Sequence, residues 1–255
     1  MEAYDPRRQV AENLYCVDSD WENTPFRRRM TVIVLKSGEL VIHSAVRMKD
    51  ADMAALDKLG RVVAVVAPNM YHGSEAQWYA DRYPAAKVLV PYDAGGALRK
   101  HVRIDGTLED DWPAVFDGEL GCQPVLGARM CEAVFLHRPS RTLIVTDLVF
   151  NLPESAFKPG LLKTLMKWNG VVGRFGPSKL FQHYFANDKY KLRSTLEKIY
   201  EWDFDRVIMS HGQIVESGGK EKLRESFRPI FDGLPDRRRE RRDEDDSPSA
   251  PVAKS

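Results

Sequence analysis

The chain has 255 residues, of which 43% are hydrophobic, enough to bury the core of one domain of about 220 residues. Lysine and arginine (38) nearly balance aspartate and glutamate (37), and a formal charge of +1 gives no overall attraction to nucleic acid or membrane. Apolar runs are too short for a transmembrane segment, and the N-terminus lacks the apolar region of a secretory signal, so we expect a cytoplasmic protein. Cys16, Cys122 and Cys131 are interpreted as ordinary thiols, because their number is odd and none forms a Cys-x-x-Cys pair.

The first half of the chain alternates apolar strands with short helices. Two of its strands flank Lys36-Ser37-Gly38, which is typical of a hairpin. A helix capped by Asp50 is expected after the hairpin. The predicted strands are 13–17, 30–35, 39–44, 62–67 and 87–90, and the predicted helices are 49–59, 74–83 and 96–101.

The second half contains another hairpin, with strands at 131–136 and 142–145, and His137 is expected to be exposed in its turn. Apolar spacing then predicts a helix over 189–202, a strand over 206–210 and a last helix over 219–231. We divide the chain into an N-terminal arm (1–12), one domain (13–234) and a charged, disordered tail (235–255).

Residues 153–187 differ in character from the rest, because lysines and arginines are interspersed with aromatic residues. We interpret this segment as an inserted subdomain or lid. It could cover a pocket, dock an anionic substrate, or form a surface that faces a membrane or a partner. Alternatively, the aromatic residues pack the insertion onto the domain while the cations stay solvated.

Three apolar strands each end in a side chain that can bind a metal. The run that begins at Val62 breaks at Pro68 and is followed by His72, the strand at 142–145 leads to Asp147, and the strand at 206–210 leads to His211. A Val-rich run of this length is typical of a strand buried on both faces of an α/β sheet. Two imidazoles and a carboxylate with an open position form a reasonable set for catalytic zinc or iron.

Four phrases of the sequence, taken in order, resemble the metallo-β-lactamase-like superfamily and, within it, a bacterial family of unknown function. The resemblance covers roughly residues 13–231. It implies an α/β (α+β) fold, a four-layer αββα sandwich with metals at the edge between the sheets. The phrases are His43-Ser44, 67–72 (Ala-Pro-Asn-Met-Tyr-His), 132–151 and Ser210-His211-Gly212.

The resemblance also implies that much of the superfamily's metal site has been lost. Its first motif, His-x-His-x-Asp-His, matches Ala67, Asn69, Tyr71 and His72, so only the last ligand is retained. No histidine stands near Gly127, where the next ligand is expected. Asp147 matches the bridging aspartate, and His211-Gly212 matches the final motif. His72, Asp147 and His211 therefore remain from one site, with Asn69 and Tyr71 as neighbours.

The three retained residues are compatible with two functions from different classes. The first is a mononuclear metal-dependent hydrolase (zinc, iron or manganese) that activates water against a small ester or thioester-like substrate. The second is a non-catalytic protein that binds a ligand or a partner and whose His72, Asp147 and His211 simply hydrogen-bond one another. His43 is either a substitute ligand or a strand-end histidine bonded to backbone. We identify no catalytic residue, expect no nucleic-acid partner and predict no oligomeric state.

Overall fold

The computed structural model describes residues 3–21, 24, 26–112, 116 and 118–234, so the predicted tail at 235–255 lies outside the described residues. Its strands form two sheets, one of seven strands in the order β1-β2-β3-β4-β5-β6-β7 and one of four in the order β11-β10-β9-β8. The strands are β1 Arg8–Ala11, β2 Leu14–Asp20, β3 Arg27–Val34, β4 Glu39–His43, β5 Arg61–Val66, β6 Lys87–Val90, β7 Gly106–Thr107, β8 Leu120–Pro124, β9 Ala133–His137, β10 Thr142–Ile144 and β11 Arg206–Ile208.

Helices cover the outer face of each sheet. On the first sheet, Met53 and Tyr79 of the helices pack with Ile42 and Val65. The helices near the second sheet contribute Leu196 and other apolar side chains to a separate core. The α-helices are α1 Asp50–Asp57, α2 Ala76–Arg82, α3 Gly95–Leu98, α4 Leu161–Trp168, α5 Lys189–Glu201 and α6 Gly219–Phe231.

The two sheets pack face to face over a shared apolar layer. Alternate residues of β4 and β5, such as Val41 and Val66, point into this layer, where they join Phe135, Ile144 and Ile208 of the second sheet. The intervening residues of the same strands face the helices. Because each central strand is covered on both sides, its sequence is a continuous apolar run rather than an alternating one. The predicted burial of the Val62 run is confirmed.

The strand directions explain why the ligand candidates meet. β4, β5 and β6 run parallel to one another, and β10 runs parallel to β11 in the other sheet. The loop 67–72 follows the end of β5, Asp147 follows β10 and His211 follows β11. Carboxyl ends of parallel strands lie at a common edge. All three side chains therefore leave the sheets at the same edge of the sandwich.

Three local predictions differ from the structure. The N-terminal arm contains β1, Arg8–Ala11, which pairs antiparallel with β2. Asp50 is not the cap of α1, because Lys49 holds the N-cap position without a side-chain bond. His137 was expected to be exposed, but it is buried with Nδ1 2.6 Å from the hydroxyl oxygen of Ser140. The turn folds back over the imidazole, which the hairpin pattern does not reveal.

Two predictions about the whole chain can also be compared with the structure. None of Cys16, Cys122 and Cys131 forms a disulfide bond, which agrees with the interpretation as ordinary thiols. Within the described residues, none of the helices combines the length and the apolar composition needed to span a bilayer.

The buried His137 should make folding sensitive to acid. Burial lowers its pKa from 6.5 to about 4. Between these pH values the unfolded chain binds a proton that the folded chain does not, so stability falls as the pH drops through this window. We expect His137→Gln to lose less free energy of unfolding than the parent between about pH 7 and pH 4.5 in urea titrations. The exposed His101→Gln is the control, and equal losses in parent and His137→Gln would contradict the assignment.

Candidate metal centre

His72, Asp147 and His211 form one buried cluster. One ligand atom from each lies within 4.8 Å of the other two. The Nε2 atom of His72 is 3.4 Å from Oδ2 of Asp147, and the Nε2 atom of His211 is 3.1 Å from Oδ1. The two Nε2 atoms are 3.3 Å apart. The three residues are 2–7% exposed, so bulk water contributes little to the interaction between them. The structure thus brings together the three residues that the strand ends predicted.

The hydrogen bonds of His211 leave a lone pair of its ring facing the carboxylate of Asp147. Its Nδ1 lies 2.6 Å from the carbonyl oxygen of Arg27, which can only accept, so Nδ1 carries a proton. In a neutral imidazole Nε2 then has a lone pair, which here faces a carboxylate oxygen of Asp147. Lone pairs at this distance repel unless a proton or a metal ion lies between them. The donor set therefore fits a divalent ion as well as an imidazolium.

His72 is held by a residue in an unusual backbone conformation. The hydroxyl of Ser44 is 2.9 Å from Nδ1 of His72. Ser44 has a φ of 55°, a left-handed conformation that is uncommon for residues other than glycine. Its N–H donates to the carbonyl oxygen of Val66 at 3.0 Å, so the turn is fixed from both sides. Strained residues of this kind cluster at functional sites.

Asn69 connects the loop before His72 to the carboxylate. Its Oδ1 accepts the backbone N–H groups of Tyr71 and His72 at 2.9 and 3.0 Å. Since these two donors require an oxygen, the amide nitrogen must face the other way, and it donates to Oδ2 of Asp147 at 2.8 Å. Asn69 therefore orients both a histidine and the aspartate of the cluster.

Glu132 fixes the backbone of the turn that carries Asp147. Its two carboxyl oxygens accept the backbone N–H groups of Thr146 and Asp147 at 2.7 and 2.8 Å. Burial, assisted by the charge of Asp147, raises the pKa of Glu132 to about 8, although the two N–H bonds act in the opposite direction. Glu132 is thus a fixed support of the turn that carries Asp147.

The ionisation of the cluster itself is set by opposing effects. Burial disfavours the charge of Asp147, but the charges and hydrogen bonds of His72 and His211 outweigh it and hold the pKa of the carboxyl well below its usual range. Burial also lowers the pKa of His72, with Asp147 acting in the opposite direction. Asp147 is therefore an anion that needs a positive partner.

Arg29 ties the loop of His211 to the first sheet. Its guanidinium donates to the carbonyl oxygens of Met209 and Gly212, both at 2.9 Å, on either side of His211. The same group forms a two-point ion pair with Asp18 at 2.5 and 3.1 Å. The planar guanidinium group therefore fixes the position of His211, which follows β11 of the second sheet, relative to the first sheet.

Aromatic rings surround the imidazole of His211. The rings of Trp21 and Phe150 lie nearly parallel to it, at 11° and 8°, with centroids 5.6 Å away in each case. Phe26 lies at the same centroid distance in a tilted orientation. Trp21 also contacts His72, at 5.0 Å. These rings limit the motion of the imidazoles and keep water from most of the cluster.

The two remaining predicted neighbours lie outside the cluster. His43 is buried against the ring of Phe135, and neither of its ring nitrogens has a hydrogen-bond partner among the described residues. Burial lowers the pKa of His43 to about 3, so it is neutral. Tyr71 is 45% exposed, and its ring contacts Phe185 instead of the cluster. His43 thus lies apart from the three clustered residues, and its role as a substitute ligand stays a prediction.

No family model and no curated protein matches the chain. Solved structures do match it, among them the DIM-1 metallo-β-lactamase (TM-score 0.59, 15% identity, 88% of this chain and 96% of that one). The FIM-1 metallo-β-lactamase from Pseudomonas aeruginosa, in its mono-zinc form, gives a TM-score of 0.57 at 10% identity, with 90% and 96% covered. The Flv1 flavodiiron core from Synechocystis gives 0.60 at 14%, with 90% and 61% covered.

The chain has the metallo-β-lactamase fold. At identities this low, the matches show the fold alone. They confirm the predicted sandwich of two sheets with helices outside. The sequence did not predict the supports of the cluster within this fold, namely Ser44, Glu132, Arg29 and Trp21. For Glu132 a signal was present, since it lies in the predicted strand 131–136 and could approach the site from there, although alternation does not say which face it takes. The others depend on contacts between segments distant in sequence.

Replacing Glu132 should destabilise the protein measurably. In Glu132→Gln the amide NH2 must face one of the two N–H donors that the carboxyl accepts. We expect the free energy of unfolding to fall by about 1–3 kcal/mol, the usual penalty for a buried unsatisfied donor. Glu119→Gln is a matched control, because its carboxyl also accepts a backbone N–H, that of Lys36, but at an exposed site. Equal effects of the two substitutions in urea unfolding would contradict the anchoring role.

Proposed function

We propose that His72, Asp147 and His211 bind one divalent metal ion and that the protein is a mononuclear metal-dependent hydrolase. The observation that carries the proposal is the pair of Nε2 atoms 3.3 Å apart, each beside a carboxylate oxygen of Asp147. Zinc, iron and manganese all accept imidazole and carboxylate ligands, and three protein ligands leave a position open. The metallo-β-lactamase fold supports the proposal, because its known members include metal-binding proteins such as the mono-zinc form of FIM-1.

The chemistry that such an ion supplies is that of a Lewis acid, which polarises a carbonyl oxygen and lowers the pKa of water. The residues of the chain supply orientation. Arg27 and Ser44 fix the two imidazole rings through Nδ1, so that both Nε2 atoms face the centre. Asn69 holds the carboxylate of Asp147, and the ring of Trp21 excludes water. These contacts keep the ligand atoms in place before anything binds.

A cavity of about 260 Å³ lies next to the loop that carries His211. Ser210 and Gly212, the neighbours of His211 in the chain, line it, but the three cluster residues do not. Arg27, Arg28 and Arg29 also line it. We propose a small ester or thioester-like substrate, whose carbonyl group is the kind that a Lewis acid activates.

A second candidate is a binding protein without catalysis. It is favoured by the burial of the cluster and by the aromatic rings against it, which leave little room for a reacting group. In this case an imidazolium would take the place of the metal, and the cluster would stabilise the edge of the sandwich. Metal content separates the two candidates directly.

Elemental analysis by mass spectrometry of the untagged protein tests the metal site. We expect about one equivalent of zinc, iron or manganese in the parent and none in the variant His72→Ala/His211→Ala, which loses two of three ligands. The variant His101→Ala/His183→Ala removes two exposed histidines and should retain the metal. No metal in the parent after reconstitution with each of the three ions would overturn the proposal.

Asp147→Asn provides a test of activity that is less disruptive than loss of a histidine. The amide keeps the shape of the carboxylate but removes its charge, so we expect weaker metal binding with an unchanged near-ultraviolet circular dichroism spectrum. Hydrolysis of 4-nitrophenyl esters and acyl thioesters should be detectable for the metal-loaded parent and at least tenfold lower for Asp147→Asn. A metal-loaded parent with no activity on either class would favour the binding protein.

A further inference from the structure

The helix α4 is oriented opposite to most surface helices, because its large apolar side chains face outward. Leu161, Leu165 and Trp168 are spaced four and three residues apart and so share one side of the helix. They are 77, 48 and 69% exposed. On the inner side the partly buried Lys163 lies 3.7 Å from Glu154, and Met166 packs against a small core. An amphipathic helix that only had to pack on the domain would bury its leucines.

The exposed apolar side continues beyond the helix. The N–H of Leu180 donates to the side chain of Asn169, directly after α4, so Leu180 lies next to the end of the helix. Leu180 and Tyr184, four residues apart in a helical segment, are both exposed. Leu162 is exposed as well. We use the name outward surface for Leu161, Leu162, Leu165, Trp168, Leu180 and Tyr184.

Basic side chains lie beside the aromatic rings of the outward surface. The ammonium group of Lys179 lies 4.7 Å from the ring centroid of Trp168, and the guanidinium of Arg129 lies 5.1 Å from that of Tyr184. The segment that carries the surface is strongly basic, although the whole chain has a formal charge of only +1. Between residues 153 and 187 there is a single acidic residue, Glu154, against Lys158, Lys163, Lys167, Arg174 and Lys179.

We propose that the outward surface binds to a lipid bilayer that contains anionic headgroups. Leucine and tryptophan side chains would enter the boundary between headgroups and acyl chains, and Lys158 and Lys179 would contact the anionic groups. An exposed apolar helix face combined with lysines and an interfacial tryptophan is the arrangement that lies in the plane of a membrane surface. The surface therefore explains both the outward leucines and the local excess of positive charge.

A second copy of the chain fits this surface less well. In a twofold dimer the same patch lies on both sides of the interface, so both sides would carry the same excess of positive charge. Like charges across an interface disfavour association. An anionic bilayer instead offers complementary charge and an apolar layer together. The proposal uses none of the residues of the metal centre, and it can be tested on protein with or without metal.

Sedimentation with vesicles tests the proposal. We expect the full-length protein to pellet with vesicles of phosphatidylcholine containing about 30% phosphatidylglycerol, and far less with phosphatidylcholine alone, because headgroup charge adds to apolar insertion. Leu165→Glu should abolish pelleting. Tyr92→Glu, which makes the same charge change at an exposed aromatic residue outside the segment, should leave it unchanged. Since both side chains are exposed, the thermal midpoints should match the parent's.

The lysines give a second, graded readout. Lys158→Ala and Lys179→Ala should each weaken vesicle binding about fivefold, the effect of one cation near an anionic surface. Lys100→Ala and Lys222→Ala, at exposed positions elsewhere, should not. Equal pelleting with neutral and anionic vesicles would overturn the proposal, as would no pelleting. A dimer that Leu165→Glu disperses, without vesicle binding, would assign the surface to a second copy instead.

Discussion

The carboxylate of Asp147 between two imidazoles is the interaction on which this edge of the molecule depends. A buried anion is strongly unfavourable unless cations or hydrogen-bond donors surround it. The chain supplies the amide of Asn69 and the two histidines, but the Nδ1 proton of His211 is directed to the carbonyl of Arg27. A proton or a bound ion must therefore lie between Nε2 of His211 and the carboxylate. Both proposals for the centre begin from this deficit.

The rest of the sandwich keeps these three side chains together. They come from two sheets that share an apolar layer, and apolar contacts do not fix a position to a fraction of an ångström. The directional contacts lie at the edge. Arg29 bridges β3 to the His211 loop, and Glu132 clamps the turn of Asp147. The apolar core thus determines which strand ends meet, and the hydrogen bonds determine the distances between the three side chains.

Sequence patterns were sufficient for eight of the eleven strands, all but β1, β7 and β8, and for the three cluster residues. Apolar runs followed by His72, Asp147 and His211 depend only on local order. They were not sufficient for the contacts around them. His43 stands at a strand end like His72, but its side chain points into the layer between the sheets, and a shift of one residue decides that direction. The helix α4 was not predicted within the segment 153–187, and periodicity would in any case show the apolar side of a helix without showing what covers it.

The outward surface and the centre are connected through aromatic contacts. Tyr184 contacts Phe185 at 5.2 Å, and Phe185 contacts Tyr71 at 6.4 Å, next to His72 in the chain. Each of the two features lacks something that the described residues do not supply. The metal centre lacks a proton or ion beside Asp147, and the outward surface lacks an apolar cover over its leucines. They require different partners, since an ion cannot cover an apolar face and a bilayer cannot reach a cluster that is less than a tenth exposed. The two features therefore predict two separate ligands for neighbouring parts of one fold.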